Sequence, residues 1–483
     1  MTIQEPPKRA SLTPSATYAE VIADDCVRLF GAPVAAPVRL AITDLAMDFL
    51  GVTLAGSRAP SSEAVFRALS ATDEGSRCTL IGRSERASES GAAIINGAAA
   101  HAIEWDDVTR ESSLHPGASV FPALLAVGEP MNATGEQIGR AALVAYEVSM
   151  WAGEALGPAG MYRRGFHPTA LANTFATAAA VSLLLGGDTK TVAQSMAIAG
   201  SFASGLMEYL SDGALVKRVH PGWSAHAGIA AARLAGAGFT GPSTVFEGRF
   251  GVLHAFSESA PALAGLENFR IDPLHPRVVE AAVKPYPCCR YNHGAVDCVL
   301  DILSRTEVRP EEVRQIDIGI VEAGLPIVAE PTAHKRRPVN VVDAQFSVQY
   351  AVAAALIDRK LALPQYEPER IMAPDVRAMM DKTRCYTRPD LNTNYPSEWP
   401  TEVTITMSDG RTLTSKVEQP SGDATNPISA ERLRSKFEGL ASVALSAAAT
   451  QRLYTAARQL WELPNITKLT TAVRPEGAAA GRD

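Results

Sequence analysis

Little in this sequence would tie it to nucleic acid, a membrane or a disulfide scaffold. Its formal charge is −7, and no long basic stripe runs through it, which excludes the electrostatic footprint of a nucleic-acid binder. No run of about 18 apolar residues occurs, so no membrane-spanning helix is expected. Met1 to Thr17 is polar and proline-containing; it lacks the apolar centre of a signal peptide and reads as a disordered lead-in. The cysteines are few and scattered: Cys26, Cys78, Cys288, Cys289, Cys298 and Cys385 contain no CxxC pair. Neither a zinc ribbon nor a disulfide framework is indicated, and a reducing cytoplasm is the expected compartment. The adjacent Cys288 and Cys289 read as packing or site lining. There is no GxSxG elbow, no Walker A loop and no GxGxxG between a strand and a helix. The loose glycine spacing from Gly236 to Gly241 follows helical text and precedes Pro242, so it does not count as one.

What is present is an ordinary soluble composition, 46% hydrophobic and 20% charged over 483 residues, long enough for more than one domain. From Tyr18 to about Thr240 the text is alanine-rich and helical in period. Arg39 to Leu54 spaces Leu40, Leu45, Phe49 and Leu50 as an amphipathic helix. Ser61–Leu69, Gly91–Ile103 and Thr134–Ala155 read as further helices, the last capped by Thr134. Thr169–Leu185 is apolar on every face and belongs inside a bundle, ending at Gly186-Gly187-Asp188. Thr189–Ser204 and Ser224–Gly238 continue the pattern. The character changes near Asn268. Val313–Val321 alternates as a strand, Phe346–Leu361 is a helix, and Thr401–Val417 reads as a hairpin turning at Ser408-Asp409-Gly410. From Ser429 the text is helical again, and Arg474 to Asp483 reads as a frayed end. The expected fold class is mainly α: a large all-helical domain (18–267) plus a smaller α+β domain (268–425), with a helical tail (426–470) returning to the first.

Four stretches carry chemistry. Leu215 to Gly228 packs Lys217, Arg218, His220 and His226 around the turn signal Pro221-Gly222, with Ser224 as an N-cap. A cationic loop feeding a helix N-terminus suits an anionic group; the plainer alternative is an exposed basic turn. His101 to Asp107 places Glu104, Asp106 and Asp107 within four residues, which is costly unless they are solvated, hydrogen-bonded or sharing a proton. His101 and His115 could join them around a metal, but no HExxH or DxDxDG spacing supports that, and no metal is expected. Arg163 to Thr169 and Lys284 to His293 complete the set. His-Pro precedes a helical or small-residue segment three times, at His115, His167 and His220. Three such starts converging at one end of a bundle would group histidines able to act as acid, base or neutral donor near pH 7.

These stretches, His101-Ala102-Ile103-Glu104-Trp105-Asp106-Asp107 with His115-Pro116, Gly165 to Thr169, Lys217 to Gly222 and Lys284 to His293, together resemble the MmgE/PrpD family. That family includes 2-methylcitrate dehydratase, cis-aconitate decarboxylase and iminodisuccinate epimerase. The resemblance runs from about Tyr18 to Leu463. It implies a helical domain built from both ends of the chain, an α+β lid between them, a homodimer, and a cofactor-free site for small di- or tricarboxylates. By matching motifs, the catalytic set would be Glu104, Asp107, His115, His167, Lys217, His220 and His293. Arg290, Thr109 and Lys284 would bind substrate. Two departures stand out: Glu104 replaces the Asp of decarboxylase-like members, and the stretch Glu322–Ile327 offers no counterpart to the tyrosine those members use.

The chemistry holds apart from the resemblance. Removing a proton next to a carboxylate needs a base and positive potential for the enolate-like dianion. Lys217, Arg290 and helix N-termini supply potential. A histidine takes the proton, and a second histidine, Glu104 or Asp107 supplies one to a leaving hydroxyl. The leading expectation is a dehydratase of a hydroxy-polycarboxylate. Decarboxylation, epimerisation and a non-catalytic carboxylate-binding protein are the alternatives.

Overall fold

The computed structural model describes residues 16–70, 77–257 and 270–476. Most of the expected lead-in, the boundary at Asn268 and the end beyond Glu476 lie outside the described residues. Helices α1 (Tyr18–Gly31), α2 (Ala36–Gly56), α3 (Pro60–Ser70), α4 (Glu89–Ala100), α5 (Gly117–Gly128) and α6 (Gly135–Leu156) open the chain. They are followed by α7 (Pro158–Arg163), α8 (Pro168–Leu184), α9 (Thr189–Ala199), α10 (His220–Gly236) and α11 (Val252–Phe256). Side chains start several of them. Thr17 and Glu20 form a capping box on α1, as Thr134 and Gln137 do on α6, each satisfying backbone N–H groups that would otherwise lack partners. Every residue of α5 and of α8 is buried, as an all-apolar helix requires. In α2, Leu45, Phe49 and Leu50 are buried but Leu40 is half exposed. Its expected place on the apolar face is therefore corrected: it sits in the second turn, ahead of the helix's long buried run.

The α+β part holds α12 (His293–Arg305), α13 (Val348–Asp358) and a four-stranded sheet. A two-residue pairing, β1 (Cys78–Thr79) with β2 (Arg86–Ala87), lies earlier in the chain. The sheet is ordered β4–β3–β5–β6, from β3 (Val313–Gly319), β4 (Thr383–Tyr386), β5 (Thr401–Met407) and β6 (Thr412–Val417). β3 runs parallel to β4 and antiparallel to β5, and β5–β6 is a hairpin with Ile405 opposite Leu413. Val403, Ile405 and Met407 point into the core, as do Ile316 and Ile318. The hairpin turns at Gly410, whose φ of 91° suits glycine.

Among the described residues two large apolar cores result, beside a small cluster of Val52, Ala55, Ala102, Ile103 and Leu440. One draws on residues from Ala19 to Val278 and again from Leu433 to Val473. The other takes Tyr209 and then residues from Tyr286 to Met407. The C-terminal helices α14 (Ala430–Ala441) and α15 (Ala447–Arg458) pack on α2. Lys436 on α14 forms a buried ion pair with Asp48 at 2.6 Å and donates to the Trp105 carbonyl at 2.8 Å.

One expectation is corrected here. Pro221-Gly222 is not a turn and Ser224 is not a cap. A 3₁₀ turn, Leu215–Val219, runs straight into α10, which begins at His220 and takes Pro221 into its first turn, where proline loses no helical hydrogen bond. Gly222 is needed for packing instead. A Cβ there would lie 2.4 Å from the Ile94 carbonyl oxygen, and one on Gly97 would lie 2.4 Å from the Gly222 Cα. Helices α4 and α10 thus cross at backbone contact. Gly222→Ala would gain about 1 kcal/mol of helix propensity, but the facing backbone cannot yield as a side chain can. A net loss of about 1–3 kcal/mol is expected, read as a lower urea midpoint with an unchanged slope.

Candidate active site

The segment His101–Asp107 leaves the end of α4, and Glu104 takes a left-handed backbone with φ 57°. This conformation is uncommon for a residue with a Cβ. It turns the Glu104 carboxylate toward three cations. Lys217 Nζ donates to Oε2 at 2.5 Å, Arg218 Nη1 to the same oxygen at 2.7 Å, and Lys284 Nζ to Oε1 at 3.3 Å. All four side chains are almost fully buried. Arg218 also reaches the His101 carbonyl and, at 2.5 Å, Gln345 Oε1. Gln345 in turn donates to the carbonyls of Ile103 and Pro287, so one amide joins the two parts of the chain.

Burial opposes the charge on Glu104, but Lys217, Lys284 and Arg218 together hold its carboxyl well below the ordinary range. Burial pulls Lys217 down to about 8 against the pull of Glu104. Burial also acts against Lys284, but Glu104 and Asp106 hold it above its usual value.

The His-Pro starts converge. His115 precedes α5, His167 caps α8 and His220 begins α10, and these helices pack against one another. His101 lies 5.1 Å, ring to ring, from His115 and 6.1 Å from His167, and His167 lies 5.1 Å from His220. His167 and His220 face each other through Nδ1 at 3.0 Å, which requires one ring to donate and the other to accept. Burial depresses all four, His115 to about 3 and His220 to about 4, with nearby lysines adding to the effect. Near pH 7 this is a cluster of neutral imidazoles.

Asp106 organises two of them. Its Oδ2 accepts from His101 Nδ1 at 2.7 Å and lies 3.3 Å from His115 Nδ1, which also donates to the Asp107 carbonyl at 2.8 Å. Both neighbours of His115 Nδ1 are acceptors, so the proton sits there and Nε2 is the basic nitrogen. His101, Asp106 and His115 bring donor atoms within 4.8 Å of one another, a grouping that resembles a metal site. The Lys284 ammonium stands 3.9 Å from Asp106 Oδ1, however, and a divalent ion would meet its charge. The group fits a hydrogen-bonded relay better.

A cavity forms where these elements meet, with about 450 Å³ of space between its walls. Of the residues singled out from sequence, Glu104, His115, His167, Lys217 and Arg290 line it. His220 stands behind His167, and Lys284 beneath Glu104. The others face elsewhere. Asp107 accepts from Tyr146 Oη at 2.7 Å and from the Gly117 N–H at 3.1 Å, fixing the start of α5, and burial lifts its carboxyl to about 7. Thr109 closes a local turn through Ser112 Oγ and the Leu114 N–H. His293 donates from Nε2 to the Cys288 carbonyl and accepts from Arg290 at Nδ1; it holds Arg290 from behind. The Arg290 guanidinium is spent on the carbonyls of Pro420 and Ser421. Sequence reasoning passed over Asp106 as an orienting group and Tyr209, Tyr162 and Phe346 as walls. The aromatics sit in unremarkable text, and only the fold brings them in. Cys289 lines the cavity and Cys288 is buried beside it. Among the described residues, no helix is long and apolar enough to cross a membrane.

Comparison with known proteins gives a consistent picture. A model of the MmgE/PrpD N-terminal domain matches residues 22–263, and one of the MmgE/PrpD C-terminal domain matches residues 286–462. The chain is 27% identical over 459 residues to the cis-aconitate decarboxylase-like protein oryM of Aspergillus oryzae, covering 89% of this chain and 92% of that one. It is 27% identical to a cis-aconitate decarboxylase of Aspergillus terreus, covering 82% and 84%. With the cis-aconitate decarboxylase of Homo sapiens it shares 28% identity, covering 79% of each.

Two outcomes follow from the geometry. Glu104→Gln strips Lys217, Arg218 and Lys284 of their shared counter-charge while leaving the shape nearly unchanged. It is expected to lower stability by about 3–5 kcal/mol, and an unchanged denaturation midpoint would refute the shared-charge account. The second concerns pH. Lys217 is charged below about 8 and neutral above it, so citrate binding, followed by calorimetry, is expected to weaken as pH rises through about 8. Binding that stays constant to about pH 10 would remove Lys217 from anion recognition.

Proposed function

Because the chain belongs to the MmgE/PrpD family, we propose that it is a lyase acting on a small di- or tricarboxylate by placing negative charge on the carbon next to a carboxylate. One observation carries this reading. Lys217, Arg218 and Lys284 are buried against the two carboxylates of Glu104 and Asp106, so the cavity has a surplus of positive charge, and neutral imidazoles face into it. In such a water-poor site, charge that develops on a substrate oxygen is stabilised far more than in water.

His115 Nε2 is the base in this proposal. Its Nδ1 proton is held by Asp106 and the Asp107 carbonyl, so it accepts a proton without rotating. The His167–His220 pair supplies the second proton-transfer group. A bound polycarboxylate adds negative charge beside these rings and raises their proton affinity toward neutral pH. Lys217 and Arg218 stabilise the enolate-like dianion.

The finer reading is loss of CO2 from a cis-aconitate-like acid, supported by the named activity of the relatives over most of both chains. The bond to the departing carboxylate breaks, its electron pair passes into the carbon skeleton, and an imidazole that has taken up a proton in the bound complex gives that proton to the carbon and returns to its neutral form. Dehydration of a hydroxy-tricarboxylate is the second reading. It is favoured by Ile327, which lines the cavity where the segment 322–327 enters and brings no phenol from that side. A cytoplasmic homodimer belongs to the same proposal.

The test is proton NMR of the purified protein in D2O with cis-aconitate, 2-methylcitrate, citrate and iminodisuccinate. Exchange or loss of a proton next to a carboxylate is expected with at least one acid, and the product distinguishes decarboxylation, dehydration and epimerisation. His115→Gln is expected to lower kcat/KM by about 100-fold or more. Undiminished turnover in that variant would sink the assignment of the base. Citrate binding without turnover of any acid would favour a carboxylate-binding protein.

A further inference from the structure

Tyr209 sits on a short 3₁₀ turn, Glu208–Leu210, and is 2% exposed. It lies in the stretch that leads from α9 to α10, yet its ring packs in the second apolar core. Three aromatic neighbours hold the ring nearly edge-on: His167 at 6.0 Å and 78°, His220 at 6.2 Å and 68°, and Phe346 at 6.2 Å and 67°. Phe346 also lies under the Lys217 ammonium, 4.9 Å from its ring centre. The phenol is therefore fixed among the two imidazoles and the wall it shares with Lys217, and it lines the cavity.

Its hydroxyl is poorly used by the protein. Tyr146, Tyr162 and Tyr286 direct theirs to Asp107, Ser113 and Asp297 at 2.7–2.8 Å. Among the described residues, the partner of Tyr209 Oη is the Met207 thioether, at 3.3 Å, and sulfur of this kind is a weak acceptor. Leaving a buried hydroxyl so poorly matched is costly, and the fold keeps it beside a cavity rich in positive charge. Burial, reinforced by the Glu104 charge, pushes its ionisation far above the ordinary range, so the group remains a donor. What it lacks is an anionic oxygen.

We propose that Tyr209 is a catalytic residue whose hydroxyl donates a hydrogen bond to the substrate oxygen that gains negative charge as the bond to the adjacent carbon breaks. The inference rests on the carbanion reading above. No proton is transferred: the phenol keeps its hydrogen while the electron pair moves onto the carboxylate oxygen, and Lys217 balances the charge. Such a donor is worth more in the transition state than in the ground state, because its partner becomes fully anionic only there.

Tyr209→Phe removes one oxygen and leaves the ring contacts in place. With the acid that the wild type turns over, kcat is expected to fall about 100- to 1,000-fold while KM changes less than about threefold. Citrate affinity, measured by calorimetry, is expected to stay within the same threefold. An unchanged kcat would overturn the proposal and make Tyr209 a wall. A loss of citrate affinity as large as the loss in kcat would overturn it too, since the bond would then be made equally in the ground state. Failure of the variant to fold would show that the hydroxyl serves the core through Met207, and that result would also overturn the proposal. A wild type that turns over none of the acids defeats the carbanion reading and this inference together. An active wild type with an equally active variant defeats only the inference.

Discussion

The carboxylate of Glu104, buried among three cations, is the interaction on which the rest of the site depends. Two lysines and an arginine this close repel one another, and without a shared anion their charges would be costly to bury. With Glu104 in place they can be held out of water, and their combined field sets the state of everything near it. Burial, with that field added to it, keeps the surrounding imidazoles neutral, and the cavity is left with unspent positive charge. The left-handed backbone at Glu104 follows from this arrangement, because the turn must deliver the carboxylate to one point in space.

Around that centre the helical part supplies rigidity. Neutral histidines at the starts of three packed helices cannot drift, and Asp106 fixes the tautomer of His115, one of the two that line the cavity. The α+β part supplies a wall and a clasp. Gln345 bonds to Arg218, Ile103 and Pro287 at once, so one of the side chains that join the two parts has hydrogen bonds that must all be satisfied together. Asp107 and His293, both singled out from sequence, stand outside the cavity lining. Asp107 sets the start of α5, and His293 backs Arg290, which fastens the loop at Pro420 and Ser421.

The features legible in the sequence were those encoded by local period and caps. Thr134 and Gln137 announce α6, the apolar run after Pro168 announces a fully buried helix, and Val403, Ile405 and Met407 announce the hairpin. The His-Pro repeats gave the convergence of histidines, because proline in a first turn places the preceding residue at a helix start. Direction was not legible. Nothing in the spacing of Glu104, Asp106 and Asp107 says that each faces a different partner, since the left-handed turn at Glu104 separates them. Pro221-Gly222 looked like a turn because both residues favour turns, whereas here one suits a first helical turn and the other permits a close crossing. Tyr209 gave no signal, being one aromatic in a mixed stretch, Leu206-Met207-Glu208-Tyr209-Leu210, with no period to mark it.

The order in which these charges are made matters as well. Glu104 precedes Lys217 by 113 residues, Arg218 by 114 and Lys284 by 180. Trp105, next to Glu104, precedes Lys436 by 331. As the chain emerges from the ribosome, the acid therefore appears long before the cations that let it be buried. An unpaired carboxylate resists leaving water, so the early helices cannot close over this segment on their own. The counter-charges of Glu104 are complete only once Lys284 has been made, past the midpoint of the 483-residue chain.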